Sequence, residues 1–381
     1  MKVLFLCIPG GGRFQLLAPL ASEFRSLGHQ VRFVAPENFA PVVAAFGFDA
    51  LLAGVGISAL EKTLRAEAGR AFDKDPSERA VQMFTRIYPQ FLLPDLLPKL
   101  SSWTPDLVVH EEGEFAAPLL ATILGVRCVT VGWPVALKPL HVIDAVTRNL
   151  EPLWERWKYA PKRFAGLYET FLDTCPPSLQ SSHATAIPSR RPMRPNLLGG
   201  SATPDDQNFM SSLRRENTIH ITFGTVGFCN NAPDLLSRII DGLADEPITI
   251  VLTTGEGTQF EAAGKYQNLR LRPYLPHKAL LPRCAAVICH GGAGTTIAAL
   301  IHGIPLLLIP RGGASQHRNA FQCARFGAAI CADEATITPL AAKQAVRKLL
   351  RDPKYRFASR LLEAEIHAMP DMKDVAISLQ N

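Results

Sequence analysis

Apolar positions along the chain fall into blocks of two kinds, short continuous runs and longer stretches at helical spacing. An apolar run at 3–8 breaks at Gly10, Gly11 and Gly12, after which apolar positions recur with a helical period over 16–27 and stop at Gly28-His29. A second run at 31–35 follows, and the order returns where 106–110 leads into 115–124 and then 127–131. Short runs alternating with helical stretches predict βαβ units and a parallel sheet. Between about 176 and 204 the periodicity fades into a linker-like stretch containing Pro176, Pro177, Pro188, Pro192, Pro195 and Pro204. The alternation then restarts, with runs at 219–223, 248–252, 269–272, 286–289 and 305–309, and helices expected from 233 and 294. A helical stretch over 339–369, broken near Pro353, closes the pattern. The expectation is α/β throughout: two doubly wound Rossmann-like domains at 1–195 and 205–350, and a C-terminal helical segment, 351–381, that returns to the first.

Composition narrows this picture. A chain of 381 residues is long enough for two cores, and 47% hydrophobic against 19% charged residues argues against extended disorder. The net charge of +6 is diffuse, with no block of Lys and Arg interleaved with aromatics, so a nucleic-acid partner is not expected. None of the eight cysteines forms a CxxC pair, which points away from a zinc knuckle or a disulfide framework. The opening apolar run is too short for a membrane span and breaks into glycines instead of a cleavage motif, so the reading is a buried first strand in a cytoplasmic protein.

The most informative stretch is 287–296, where an apolar strand runs into His290-Gly291-Gly292-Ala293-Gly294-Thr295-Thr296 and opens a helix. Free N–H groups and the dipole at a helix start favour an anion, glycines admit a diphosphate close to the backbone, and the hydroxyls add donors. An isolated glycine loop of this kind is as often a packing turn as a phosphate site. Here it continues into Ala298-Ala299-Leu300-Ile301-His302-Gly303-Ile304-Pro305 and Pro310-Arg311-Gly312-Gly313-Ala314-Ser315-Gln316-His317-Arg318-Asn319, and the pattern from 272 to 327 resembles the donor-binding signature of family 1 glycosyltransferases, in particular bacterial natural-product enzymes using UDP- or TDP-sugars. The resemblance implies the GT-B fold, two Rossmann-like domains facing each other, with the acceptor under the first domain and the donor in the second. It implies that His290, Gly292, Gly294 and Thr295 hold the diphosphate, that Thr225 in Phe223-Gly224-Thr225-Val226-Gly227 faces the phosphates, and that Tyr274 and Leu275 meet the base. It extends to the first half through Leu27-Gly28-His29 and Val108-Val109-His110-Glu111, and is weakest over 57–100 and 135–182. Apolar residues there and nearby, Phe84, Tyr88, Phe91, Trp133, Trp154 and Trp157, are candidates for the acceptor pocket or for plain core.

The resemblance implies an inverting transfer from a nucleotide-diphospho-sugar co-substrate, without a cofactor or a metal, to a small-molecule acceptor, with a homodimer as one possible assembly. Two departures complicate it. Aligning Pro19-Leu20-Ala21 with the family pattern puts Arg13 where relatives carry a histidine base, and an arginine cannot take a proton at working pH. Three readings stay open: the base has moved to Glu111, with His110 and Glu112 beside it; the acceptor is acidic enough to need little help; or the protein binds a nucleotide-sugar without catalysis. Arg13 itself could bind a carboxylate or phosphate of the acceptor. In the sugar pocket Ser315-Gln316 replaces the usual acidic residue and glutamine, which suits a deoxy or amino sugar. Asp73-Lys74-Asp75 formally spells a metal-binding DxD but follows a charged segment and not a strand, so a solvated loop is the expectation. A dinucleotide-dependent enzyme is disfavoured because 10–13 lacks the GxGxxG spacing.

Overall fold

The computed structural model describes residues 1–69, 76–134, 136, 140–162, 167–196, 202–224, 232–255, 260 and 265–380. Thr225 and the Asp73-Lys74-Asp75 segment lie outside the described residues.

The first half forms a seven-stranded, all-parallel sheet from β1 Lys2–Leu6, β2 Gln30–Ala35, β3 Asp49–Leu52, β4 Leu107–Glu111, β5 Arg127–Val131, β6 Phe171–Asp173 and β7 Arg190–Pro192, in the order β3-β2-β1-β4-β5-β6-β7. The second half repeats the plan with β8 Thr218–Thr222, β9 Thr249–Thr253, β10 Leu269–Arg272, β11 Ala286–Cys289, β12 Leu306–Leu308 and β13 Ala329–Cys331, ordered β10-β9-β8-β11-β12-β13. Parallel strands covered by helices on both faces are buried at every position, as β4, β8 and β11 are, and are mostly apolar, with polar residues such as His110 and Glu111 in β4 and His220 in β8. The period of two then divides each strand between two cores. Leu4, Leu6 and Val108 pack on one face of the first sheet, and Val3, Phe5, Leu107 and Val109 on the other. Val287 and Cys289 in the second sheet likewise face away from Ala286 and Ile288.

In both sheets the chain leaves the central strand in one direction and later returns on the other side, so β1 meets β4 and β8 meets β11 at a point where strand order reverses. The loops that leave these strands diverge there and open a crevice beyond the carboxyl ends. The residues after β1 and β4 and those after β8 and β11 thereby become the candidate site.

Two boundaries differ from expectation. The proline-rich stretch supplies β7, which a sheet tolerates because it is the edge strand and Pro192 has no neighbour to donate to on its outer side. The C-terminal segment does not return as a unit. Helix Pro353–Ala368 stays with the second domain, because Ala358, Leu362 and Ile366 at four-residue spacing enter its core. Only helix Met372–Ser378 crosses, burying Met372, Val375 and Ala376 against the first domain, where Arg127 donates to the Leu379 carbonyl at 2.8 Å. Arg194 holds the crossing point through the Met369 carbonyl at 3.2 Å and Asp371 at 3.3 Å. The break between helices Pro339–Arg351 and Pro353–Ala368 falls at Asp352, whose side chain accepts from the Lys354 amide, with Pro353 opening the next helix. No helix among the described residues is long and apolar enough to cross a membrane.

Candidate active site

On the second domain, β11 ends at Cys289 and hands the chain to His290, whose ring is nearly buried. A Cβ on Gly224 would sit 2.8 Å from the His290 ring, and one on Gly292 would come within 2.4 Å of Nε2. These two glycines therefore serve the histidine, leaving its ring the space that a side chain would take. Helix Ala293–Ile301 starts immediately after Gly292 without a side-chain cap, and around Gly294 the backbone is open, with nothing within 4 Å of where a Cβ would sit. Uncapped amides beside open space are what an anion needs. Burial, and secondarily the Arg311 guanidinium, bring the His290 pKa down to about 4, so the ring is neutral, and its buried Nδ1 has no hydrogen-bond partner among the described residues. A neutral imidazole can still donate one hydrogen bond to a phosphate oxygen. Thr295 is buried in the first helical turn, and Arg311, paired to Glu334 at 2.5 Å, adds positive charge nearby.

The neighbouring helix Ala314–Phe326 packs against this loop: Asn319 donates to the Gly291 carbonyl at 2.7 Å and fixes the turn. Ser315 and Gln316 open that helix half-buried, with the Ser315 hydroxyl donating to Gln316 Oε1 at 2.9 Å. After β10, Tyr274 is 45% exposed while Leu275 is buried. The structure thus gathers His290, Gly292, Gly294, Thr295, Ser315 and Gln316 on the loop after β11 and the first turns of two neighbouring helices, and places Tyr274 with Leu275 on the loop after β10.

The first domain answers with charge. Glu111 ends β4 fully buried, accepting from the Gly113 amide at 2.5 Å, the Trp133 indole at 2.6 Å and the Ile8 amide at 3.4 Å. Glu111 is therefore neither solvated nor a helix cap: β1, β4 and Trp133 enclose it. Glu112 is buried and accepts from the Trp133 amide at 3.2 Å. Glu114, unremarked in the sequence, caps helix Ala117–Leu124 by accepting from the Ala116 and Ala117 amides at 3.0 and 2.9 Å. Burial pushes its pKa up to about 8, with those amides pulling the other way. His110 faces the sheet interior. Its Nδ1 meets the Glu111 carbonyl at 3.0 Å, its Nε2 meets the Thr130 hydroxyl at 2.8 Å, and burial lowers its pKa to about 4. The structure does not bring His110 to the crevice.

Arg13, in helix Gly11–Ser26 after β1, lies 3.9 Å from Glu111, with its guanidinium 4.4 Å from the Phe84 ring centre and 5.6 Å from that of Trp133. Phe84 comes from a π-helical turn, Met83–Ile87, a rare local geometry that often marks functional positions. Of the other aromatic candidates, Tyr88 and Trp154 are core, Trp157 packs partly against it, and Phe91 is exposed. The two halves meet electrostatically where Arg318, on helix Ala314–Phe326, feels Glu112: burial lowers the arginine pKa and the carboxylate opposes the shift. Gly224, Asn319, Arg318 and Glu114 were absent from the sequence-derived site, though Glu114 could have been found as the last acid in Glu111-Glu112-Gly113-Glu114 ahead of a helix. No group of His, Cys, Asp and Glu residues suited to a metal ion occurs among the described residues.

Two parallel-sheet domains with their reversal points turned to one crevice define the GT-B class of glycosyltransferases. Comparison with known proteins agrees: the Erythromycin biosynthesis protein CIII-like N-terminal domain matches residues 22–224 and the corresponding C-terminal domain matches 237–381. The chain belongs to this family of bacterial antibiotic glycosyltransferases. It is 25% identical over 412 residues to the 3-alpha-mycarosylerythronolide B desosaminyl transferase of Saccharopolyspora erythraea, covering 98% of this chain and 96% of that one. It is 27% identical over 403 residues to the elloramycin glycosyltransferase ElmGT of Streptomyces olivaceus, covering 100% and 97%. Among solved structures, the glycosyltransferase SnogD from Streptomyces nogalater superposes with a TM-score of 0.76 at 28% identity, covering 100% of this chain and 98% of that chain. The spinosyn rhamnosyltransferase SpnG reaches a TM-score of 0.83 at 24% identity over the full length of both.

Proposed function

We propose that this chain is an inverting, metal-independent glycosyltransferase that moves a deoxy or amino sugar from a TDP or UDP donor to a small natural-product acceptor. The observation that carries the reading is the neutral His290 ring beside the uncapped helix start at Gly292 and the open space at Gly294. Leaving-group charge on the diphosphate is met there by fixed donors, His290 and the helix-start amides, with Thr295 in the same turn. In this reading Tyr274 and Leu275 take the base, and Ser315 with Gln316 contacts the sugar through neutral groups. The relatives' names include desosaminyl and mycaminosyl transfer, which fits a sugar pocket without a carboxylate at that point. The acceptor lies over the floor made by Arg13, Glu111, Phe84 and Trp133. Inversion follows from an acceptor that attacks the anomeric carbon on the face away from the diphosphate.

Calorimetric titration with TDP and UDP, followed by turnover of matching nucleotide-sugars with and without EDTA, tests the proposal. Binding of at least one nucleotide and EDTA-insensitive release of the nucleoside diphosphate are expected, with the opposite anomer in the product by NMR. Failure of both nucleotides to bind, or loss of turnover on chelation, would refute the corresponding part.

A further inference from the structure

Among the described residues, no ionisable group of the acceptor floor is placed to take a proton. His110 has both ring nitrogens engaged within the sheet. Both oxygens of Glu114 accept from the helix start, and Glu111 is fully buried under three donors. Glu112 is buried, with the Trp133 amide on one oxygen and Arg318 nearby. Cys7 and Tyr88 are buried, and burial raises the pKa of both. Among the described residues, the ionisable group that does reach the crevice is Arg13, whose side chain is 27% exposed. Its guanidinium touches Glu111 only at 3.9 Å through Nε and donates no hydrogen bond among the described residues. A guanidinium has five N–H donors in a fixed fork, and here Phe84 and Trp133 limit where that fork can point.

We propose, resting on the glycosyltransferase reading above, that the acceptor is an oxygen acid used as its anion, a phenol, enol or carboxylate, and that Arg13 binds the nucleophilic oxygen. The acceptor gives its proton to solvent before the transfer. The oxygen anion then forms the bond to the anomeric carbon of the nucleotide-sugar, the bond from that carbon to the diphosphate oxygen breaks, and its electron pair leaves on the nucleoside diphosphate. Arg13 lowers the cost of ionising the acceptor and holds the oxygen, in place of a base that removes the proton during attack. Glu111 acts as a positioning residue by keeping Arg13 over the floor without quenching its outward donors.

The test uses the purified chain with whichever TDP- or UDP-sugar it hydrolyses fastest without an acceptor. Acceptors are 7-hydroxycoumarins whose ring substituents spread the phenol acidity, 7-(hydroxymethyl)coumarin as an alkanol, and coumarin-3-carboxylate. The proposal expects kcat/KM for each phenol to follow the phenolate fraction, so that the pH profile moves with the acceptor. It also expects the alkanol to be inert. Transfer to the carboxylate gives an alkali-labile ester and identifies that arm. Arg13→Gln should lower kcat/KM for the phenolates by about tenfold or more, and Arg13→Lys by less, with the nucleotide Kd unchanged as the check on folding. Transfer to the alkanol as fast as to the phenols, or one pH profile shared by all phenols, overturns the proposal by revealing a base on the protein. Nucleotide binding with no transfer to any anionic acceptor also overturns it and leaves the donor site standing, whereas absent nucleotide binding strikes the function reading itself.

Discussion

The two sides of the crevice are built from the same topology and opposite electrostatics. Beyond β8 and β11 the protein offers backbone amides and a neutral ring, His290, fitted between Gly224 and Gly292. Beyond β1 and β4 it offers three buried carboxyl groups, Glu111, Glu112 and Glu114, with Arg13 over the first. A site for a dianionic diphosphate gains from uncharged, preorganised donors because these cost little to bury. The acceptor side carries its own compensation, each acid being met by amides, an indole or a guanidinium. The same reversal point therefore presents uncharged donors on one side and buried carboxyl groups beneath a guanidinium on the other.

The largest break in this comparison should come from His290→Ala. Loss of that donor is expected to reduce turnover by about 10²- to 10³-fold while the fold persists, read as kcat/KM alongside thermal melting. Unchanged turnover would remove the neutral ring from the donor site. On the other side, Glu111→Gln should act on stability first. Gly113 and Trp133 both donate to Oε2, which a glutamine oxygen can replace, but its NH2 in place of Oε1 would face the Ile8 amide and the Arg13 guanidinium with no acceptor, and a loss of about 2 kcal/mol is expected in urea unfolding. A smaller effect separates two glycines. Gly292→Ala would drive a methyl group into the His290 ring and should lower both Tm and nucleotide affinity, whereas Gly294→Ala meets no protein atom and should lower affinity alone. Equal effects of the two on Tm would contradict the open space at Gly294.

The smallest expected effect is a pH slope. Burial holds His110, His277 and His290 at about 4 against an ordinary 6.5, so between those values the unfolded chain binds more protons than the folded one. Stability should therefore fall as pH drops from 6.5 toward 4. Glu114 works in the other direction: its folded pKa of about 8 lies above the ordinary 4.5, so its contribution is lost as pH rises between those values. Thermal melting between pH 7 and 4.5 should show the acid loss, and Glu114→Gln should make it steeper. For donor binding, a neutral His290 predicts no step near pH 6.5 when a nucleotide-sugar, whose phosphates do not titrate there, is the ligand.

The donor half was the more legible part of the chain because its chemistry is local. A strand, a glycine loop and a helix start within ten residues leave uncapped backbone amides at 287–296 wherever they fold. The strand alternation likewise announced two parallel sheets, since a strand buried on both faces leaves an uninterrupted apolar run. The acceptor half was less legible because its site is assembled from residues far apart: Arg13, Phe84, Glu111 and Trp133 meet only when β1, the π-helical turn, β4 and the loop after β5 are brought together.

By itself, then, the sequence determined the alternating α/β plan, the two domains and the position of the glycine loop that opens an uncapped helix at Gly292, all consequences of short-range periodicity and backbone freedom. Tertiary structure decided that Gly224 and Gly292 make room for the His290 ring, that His110 turns inward, and that Glu111 is sealed beneath Arg13. It also decided that helix Pro353–Ala368 stays behind while Met372–Ser378 crosses. These depend on which distant surfaces lie within a few ångströms of one another, and burial or the pairing of a charge exists only once those surfaces have closed.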